Sequence, residues 1–269
     1  PTQGGSSRAH EEAPSRPPKS GVHERPEPVP RSYRTLRSLE AVGREAVALC
    51  RQATLFHRDV TVVIPNARSG DHVAVFVHGL FATAGVLRPL RTRIEAGTGA
   101  LTSTFTYAPG PSVQSIAERL AELVRSLPED VHIHLIGHSV GGIVSRWFIQ
   151  ELGGDPRIVQ TISIGSPFNG TTKARLFPAP IGRDIKPGSP LLARLSAGRL
   201  NGVPHLSIAG SDDQVVPSGA IFAHGEGLVI DGCGHNGLVY HPTTVSTVLR
   251  RIRTFQAAAA ACDAWSSIG

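Results

Sequence analysis

The chain has 269 residues, 40% of them hydrophobic and 18% charged, enough for one sizeable core and too few for two large domains. Its net charge of +6 sits mostly at the start, where residues 1–58 hold ten Lys or Arg against six Glu and leave +2 for all the rest. No basic patch interleaved with aromatics follows, which speaks against a nucleic-acid partner, and no apolar run is long enough to span a bilayer.

Residues 1–32 are rich in Pro, Ser, Gly and charge, bury too little apolar surface to offset the entropy of ordering, and are expected to be disordered. They lack the apolar core of a signal peptide, so a cytoplasmic location is expected. Cys50, Cys233 and Cys262 match no metal-ligand spacing, and their odd number suits a reduced compartment. At 33–58 the pattern becomes that of an amphipathic helix. Leu39, Val42, Ala46, Leu49, Ala53 and Phe56 step by three and four, while Arg37, Arg44, Arg51 and Arg58 recur every seven residues on the far side. The apolar stripe is expected to pack on the main domain; contact with an anionic membrane surface through the arginines is the less favoured alternative.

Strands and helices then alternate over 59–256. Segments 60–64 (VTVVI), 73–77 (VAVFV), 102–107 (TSTFTY), 131–136 (VHIHLI), 160–164 (QTISI), 205–209 (HLSIA) and 227–230 (GLVI) read as strands. One helix starts after the N-cap candidate Ser112, with Ile116, Leu120, Leu123 and Leu127 on one face. Another covers 243–255, and 257–269 are left as a C-terminal tail. Strands regularly separated by helices imply a mostly parallel sheet covered on both faces.

The strand at 131–136 runs into GHSVGG, where Gly137, Ser139 and Gly141 read G-x-S-x-G. Beyond it Ile143, Val144, Trp147, Phe148 and Leu152 have helical spacing, so the serine falls on a tight strand-to-helix turn. Such a turn strains the backbone and crowds its neighbours, which favours residues without side chains on either side, and it lifts the hydroxyl clear of the sheet. Taken alone, the motif is equally a glycine-rich turn with a solvent serine.

Acyl transfer through a serine needs a base, a carboxylate to orient that base, and amides to hold the oxyanion, each at the C-terminal end of a strand. The base candidate is His235 in DGCGHNGLV, after the last strand. The acid candidates lie in AGSDDQVVP: Asp213 is favoured over Asp212 because Val215 and Val216 can anchor the loop beneath it, and Asp231 is a third choice. In VFVHGLFAT, Gly79 permits a sharp turn after which the Leu80 amide can face the site, while Val140 offers the first amide of the next helix. His132 and His134 alternate on their strand and read as core or interface residues, whereas His138 is expected to pack beneath the serine.

Five stretches in order, VHGLFAT, GHSVGG, GSPFNGT, GSDDQVV and GCGHNGL, give the chain from about residue 60 to 255 a pattern that resembles the α/β-hydrolases of the bacterial lipase and esterase group. Ser166 stands where many relatives carry Thr. The resemblance implies an α/β-hydrolase fold with a small cap and a serine carboxylester hydrolase that needs no cofactor or metal. Ser139 would be the nucleophile, His235 the base, Asp213 the orienting acid, and Leu80 and Val140 the oxyanion donors. The implied partner is an ester or lipid-like small molecule. An acyltransferase using the same residues, or a non-catalytic binding protein on the same fold, are the alternatives.

Segment 166–203 is too irregular for core and too long for a plain connection. Within it Ser189, Pro190 and Gly198 bracket one short helix. Phe81, Phe168, Leu176, Phe177, Leu191, Leu192 and Leu195 are expected to line an acyl groove under this cap.

Overall fold

A computed structural model describes residues 31–266 except 60, 61, 63, 64, 199, 200, 217–220 and 223, with the backbone alone at 31–39, 41 and 263–266. The strands are β1 (His72–Val77), β2 (Leu101–Phe105), β3 (His132–His138), β4 (Ile158–Ile164), β5 (His205–Gly210) and β6 (Glu226–Ile230). The helices are α1 (Arg31–Leu55), α2 (Arg88–Thr98), α3 (Val113–Arg125), α4 (Val140–Glu151), α5 (Pro180–Asp184), α6 (Pro190–Ala197) and α7 (Pro242–Ser266). Residues 1–30 of the tail expected to be disordered over 1–32, and four of the five residues of the expected strand at 60–64, lie outside the described residues, while 31 and 32 open α1.

All neighbouring strands are parallel, in the order β2-β1-β3-β4-β5-β6. Parallel strands are joined by crossovers that cover both faces, which is why these segments read as continuous apolar runs. Side chains alternate between the faces. Val73, Val75, Val77, Ile133 and Leu135 share one buried cluster with Ile116 and Leu120 of α3 and Ile143 and Val144 of α4. Ala74, Phe76, Ile136, Ile162 and Ile208 share the other with Leu90 and Ile94 of α2 and Val248 and Ile252 of α7. Each of these Val, Leu, Ile and Phe side chains contributes about 1.5–3 kcal/mol by leaving water.

α3 begins at Ser112, whose hydroxyl accepts from the Ser115 amide, and the Asp184 carboxylate accepts from the Val113 amide at 2.8 Å. That bond ties the cap segment to the main layer. α7 runs on to Ser266, through residues expected to be a tail. The reason lies in its alanines: Ala257 to Ala261 lose no side-chain entropy on entering a helix. Gln256 and Arg253 also bond the carbonyls of Thr98 and Gly97 at the end of α2.

α1 covers 31–55 where the periodicity predicts 33–58, and its apolar stripe lines a cavity beside the domain instead of packing on it. Val42, Leu49 and Phe56 are 67%, 51% and 50% exposed, and among the described side chains of α1 the buried one is Ala48. The helix is held by polar contacts instead. Arg51 lies over the Tyr240 ring, the Thr83 hydroxyl donates to Phe56 O at 2.8 Å, and just beyond the helix Asp59 pairs with Arg91 at 2.9 Å.

Buried histidines cross the sheet interior. His134 lies within hydrogen-bond distance of His72 (2.9 Å) and Gln160 (2.7 Å), and His205 sits between Thr161, Ser163 and Ser207. Burial drives His134 down to about 3 and His72 to about 4, and pushes His205 well below its usual value. The folded chain keeps these rings neutral, while the unfolded chain takes up protons near pH 6.5. Their contribution to stability is therefore complete above that pH and declines as pH falls towards 4. Urea unfolding followed from about pH 7 down to about pH 4 should show a steadily falling midpoint; a midpoint that stays level would mean the rings are protonated in the fold.

Candidate active site

β3 ends at His138 and α4 starts at Val140, so Ser139 alone makes the turn, with φ 53° and ψ −123°. This left-handed angle is strained for a residue with a side chain. Space around it is equally restricted. A Cβ on Gly137 would lie 2.3 Å from the Gly142 nitrogen, and one on Gly141 would lie 2.1 Å from the Val77 carbonyl oxygen. The G-x-S-x-G pattern is thus a packing requirement at both glycines. Ser139 donates its own amide to Ile164 O at 2.8 Å, which seats the turn against the end of β4.

The loop after β1 runs beside this turn, where a Cβ on Gly79 would come within 2.9 Å of Ser139 Cβ. His78, which sequence reasoning passed over, organises it. Its ring stacks on Tyr107 with centroids 4.0 Å apart. The Tyr107 amide donates to Nε2 at 3.1 Å, so Nδ1 carries the hydrogen and donates to Gly79 O at 2.7 Å. Burial holds the ring down at about 4, so it stays neutral. In a trans peptide the carbonyl and the following N–H point in opposite directions. With Gly79 O tied to His78, the Leu80 N–H is directed away from that ring. Val140, the other expected donor, is the first residue of α4, where no intrahelical acceptor exists.

On the far side of the sheet edge, Asp213 and His235 are both buried and joined, Oδ2 to Nδ1, at 2.7 Å. The other Asp213 oxygen accepts from the amides of Val215 and Val216 at 2.8 and 2.7 Å. Asp212 and Asp231 each have a carboxylate oxygen 3.2 Å from the Ser211 hydroxyl, whose single proton can go to either. The His235 ring packs over Gly165, whose missing Cβ would lie 3.3 Å from Cε1 and Nδ1. His138 lies below, its Nε2 3.4 Å from His235 O and its ring centroid 5.0 Å from that of His235; burial first, then the neighbouring His235, pushes it down to about 3. Ser139 and the Asp213–His235 pair therefore share one edge of the sheet. Among the described residues no hydrogen bond joins the Ser139 hydroxyl to the His235 ring.

A cavity of about 1040 Å³ borders His235, Gly234 and Asp212 on one side and Val42, Glu45 and Leu49 of α1 on the other; Ser139 is not in its lining. Phe81, with φ 57°, is 59% exposed and meets Phe177 edge to face at 4.6 Å. Leu176 is exposed. Of the residues expected in the groove, Phe168, Leu192 and Leu195 are buried in the core, and Leu191 and Phe177 pack partly buried against the same cluster. An eight-residue helix has one apolar face, and α6 is drawn onto α4 by Gln150 donating to Leu195 O at 3.1 Å and by the Arg194–Glu151 pair. That leaves Leu192 and Leu195 facing protein.

No family model matches the chain, and no curated protein matches it in sequence. Solved structures do match in shape. The lipase BlEst2 of Bacillus licheniformis in its mature form superposes with a TM-score of 0.56 at 14% identity, covering 66% of this chain and 91% of that one. The ydeN gene product of B. subtilis gives 0.53 at 16% identity, over 68% and 99% of the two chains. The metagenomic carboxyl esterase MGS0156 gives 0.52 at 17% identity, over 73% and 78%. The fold is that of the α/β-hydrolases. In this α/β-hydrolase fold the strained serine, the His78 loop and the Asp213–His235 pair all stand at the C-terminal ends of parallel strands, where an open sheet presents its ligands.

The His78 contacts give a direct test. His78→Phe keeps a ring against Tyr107 but strands the Tyr107 amide and leaves Gly79 O with only the Ala82 amide at 3.3 Å, and a stranded buried group costs about 1–3 kcal/mol. Chemical unfolding should register a loss of that order, and amide exchange should quicken across residues 79–82. Unchanged exchange there would show that the ring does not hold the peptide.

Proposed function

We infer that the protein is a serine carboxylester hydrolase of esterase or lipase type. The observation that carries this is the buried 2.7 Å pairing of Asp213 with His235 at the sheet edge where Ser139 sits at positive φ. The esterase and lipase names among its structural neighbours support it.

In this reading His235 Nε2 takes the Ser139 proton as Oγ attacks the ester carbonyl, and Asp213, fixed by two backbone amides, keeps Nδ1 protonated and stabilises the imidazolium. The Leu80 and Val140 amides receive the oxyanion, with His78 holding the Leu80 peptide in place beforehand. The alcohol leaves with the proton from His235. Water, deprotonated by the same ring, then attacks the acyl-enzyme and releases the acid and Ser139. Phe81, Leu176 and Phe177 offer an apolar rim for the acyl portion.

A fluorophosphonate probe should label wild-type protein at Ser139, and p-nitrophenyl acetate should be hydrolysed. Ser139→Ala and His235→Ala should fold normally and lose activity about 10⁴-fold or more, because such groups act as a unit. Asp213→Asn should be damaging and Asp212→Asn mild. Folded wild-type protein left unlabelled at Ser139 would overturn the reading; a strong effect at Asp212 with none at Asp213 would reassign the acid.

A further inference from the structure

Glu45 belongs to α1, outside the sheet, yet its carboxylate reaches the loop that carries His235. Oε1 accepts from the Asn236 amide at 2.8 Å and from Asn236 Nδ2 at 2.7 Å, and Oε2 accepts from the Gly237 amide at 3.2 Å. Hydrogen bonds to an ionised acceptor are shorter and roughly twice as strong as neutral ones. On the other side of His235, Gly234 leaves room for the same group, since a Cβ there would lie 2.5 Å from Oε2. Both chain neighbours of His235 therefore touch one side chain from a distant helix.

The remaining freedom of His235 is taken up by other contacts. Asp213 holds its ring at Nδ1 and His138 lies 3.4 Å from its carbonyl oxygen. α1 can act as a support because its C-terminal end is itself fixed: Gly85 lies so close that a Cβ would meet Leu55 O at 2.2 Å, and Arg51 lies over Tyr240. Apolar burial does little to hold the helix, since Val42 and Leu49 are exposed.

We propose that Glu45 is a positioning residue for His235, clamping segment 234–237 so that the ring stays between Asp213 and Ser139. This rests on the hydrolase reading for its kinetic consequence, though the clamp itself is independent of the chemistry. α1 is then a working part of the active site.

The test uses the full chain with Glu45→Ala and Glu45→Gln. Three quantities are read: amide exchange at 236 and 237, kcat and KM for p-nitrophenyl acetate, and the thermal unfolding midpoint. Glu45→Ala should speed exchange at the two amides about tenfold or more and lower kcat about 10–100-fold, as a misplaced catalytic group does. KM should stay within about twofold and the midpoint near that of wild type. Glu45→Gln keeps one acceptor oxygen and should recover part of both losses, and it is the variant read if Glu45→Ala does not fold. Unchanged exchange at 236 and 237 overturns the clamp. Released amides with unchanged kcat, or a kcat loss that merely follows a falling midpoint in both variants, overturns the positioning role. A wild-type chain inert towards the ester, whose amides Glu45→Ala still releases, sinks the hydrolase reading and leaves the clamp standing.

Discussion

The backbone of α4 meets the end of β1 with no room for a methyl group between them. A side chain on Gly141 would reach within 2.1 Å of Val77 O, and one on Gly137 would strike the first turn of α4 itself. Everything at the sheet edge depends on this approach. It lets a single residue, Ser139, turn the chain from strand to helix, and it brings the loop after β1 against that turn. The strained φ of Ser139 costs about 1–3 kcal/mol, which only a surrounding structure that leaves no alternative can sustain. Here the restraint comes from β3, paired on both sides, and from α4, buried along nearly its whole length.

Desolvation supplies the second constraint. His78, His134 and His138 are all pushed to about 3–4 by burial, and none of them carries charge at neutral pH. A neutral ring can donate from one nitrogen and accept at the other, which is how His78 bridges the Tyr107 amide and the Gly79 carbonyl. The proposed base differs from them in having a carboxylate at Nδ1. Asp213 is in turn anchored by two backbone amides, so the pair is prepared in advance of any substrate.

α1 is attached by polar bonds more than by apolar area, whereas the other helices outside the sheet bury Ile, Leu and Val side chains in its two cores. Glu45, Arg51 and Asp59 fasten α1 and the turn after it, and Asp184 links the cap to the start of α3. These contacts leave the apolar stripe of α1 facing the cavity beside His235 and the solvent. The stripe has the same spacing whichever way it faces.

Much was legible in the sequence because it follows from local rules. Continuous apolar runs separated by helical periods imply parallel strands with helices on both faces. G-x-S-x-G after such a run implies a turn with no space for side chains, and Val215 and Val216 mark the loop in which Asp213 is held. Other features depend on residues far apart in the chain. Periodicity located α1 but could not say which face would dock, because Glu45 meets Asn236 and Gly237 only after the whole sheet has formed. It likewise gave α6 an apolar face without showing that Leu192 and Leu195 would be buried in the core. His78 was one histidine among twelve until Tyr107 closed over it. Short-range spacing determines the elements and the turns between them, whereas burial and the choice of partner are decided by packing, which no local pattern encodes.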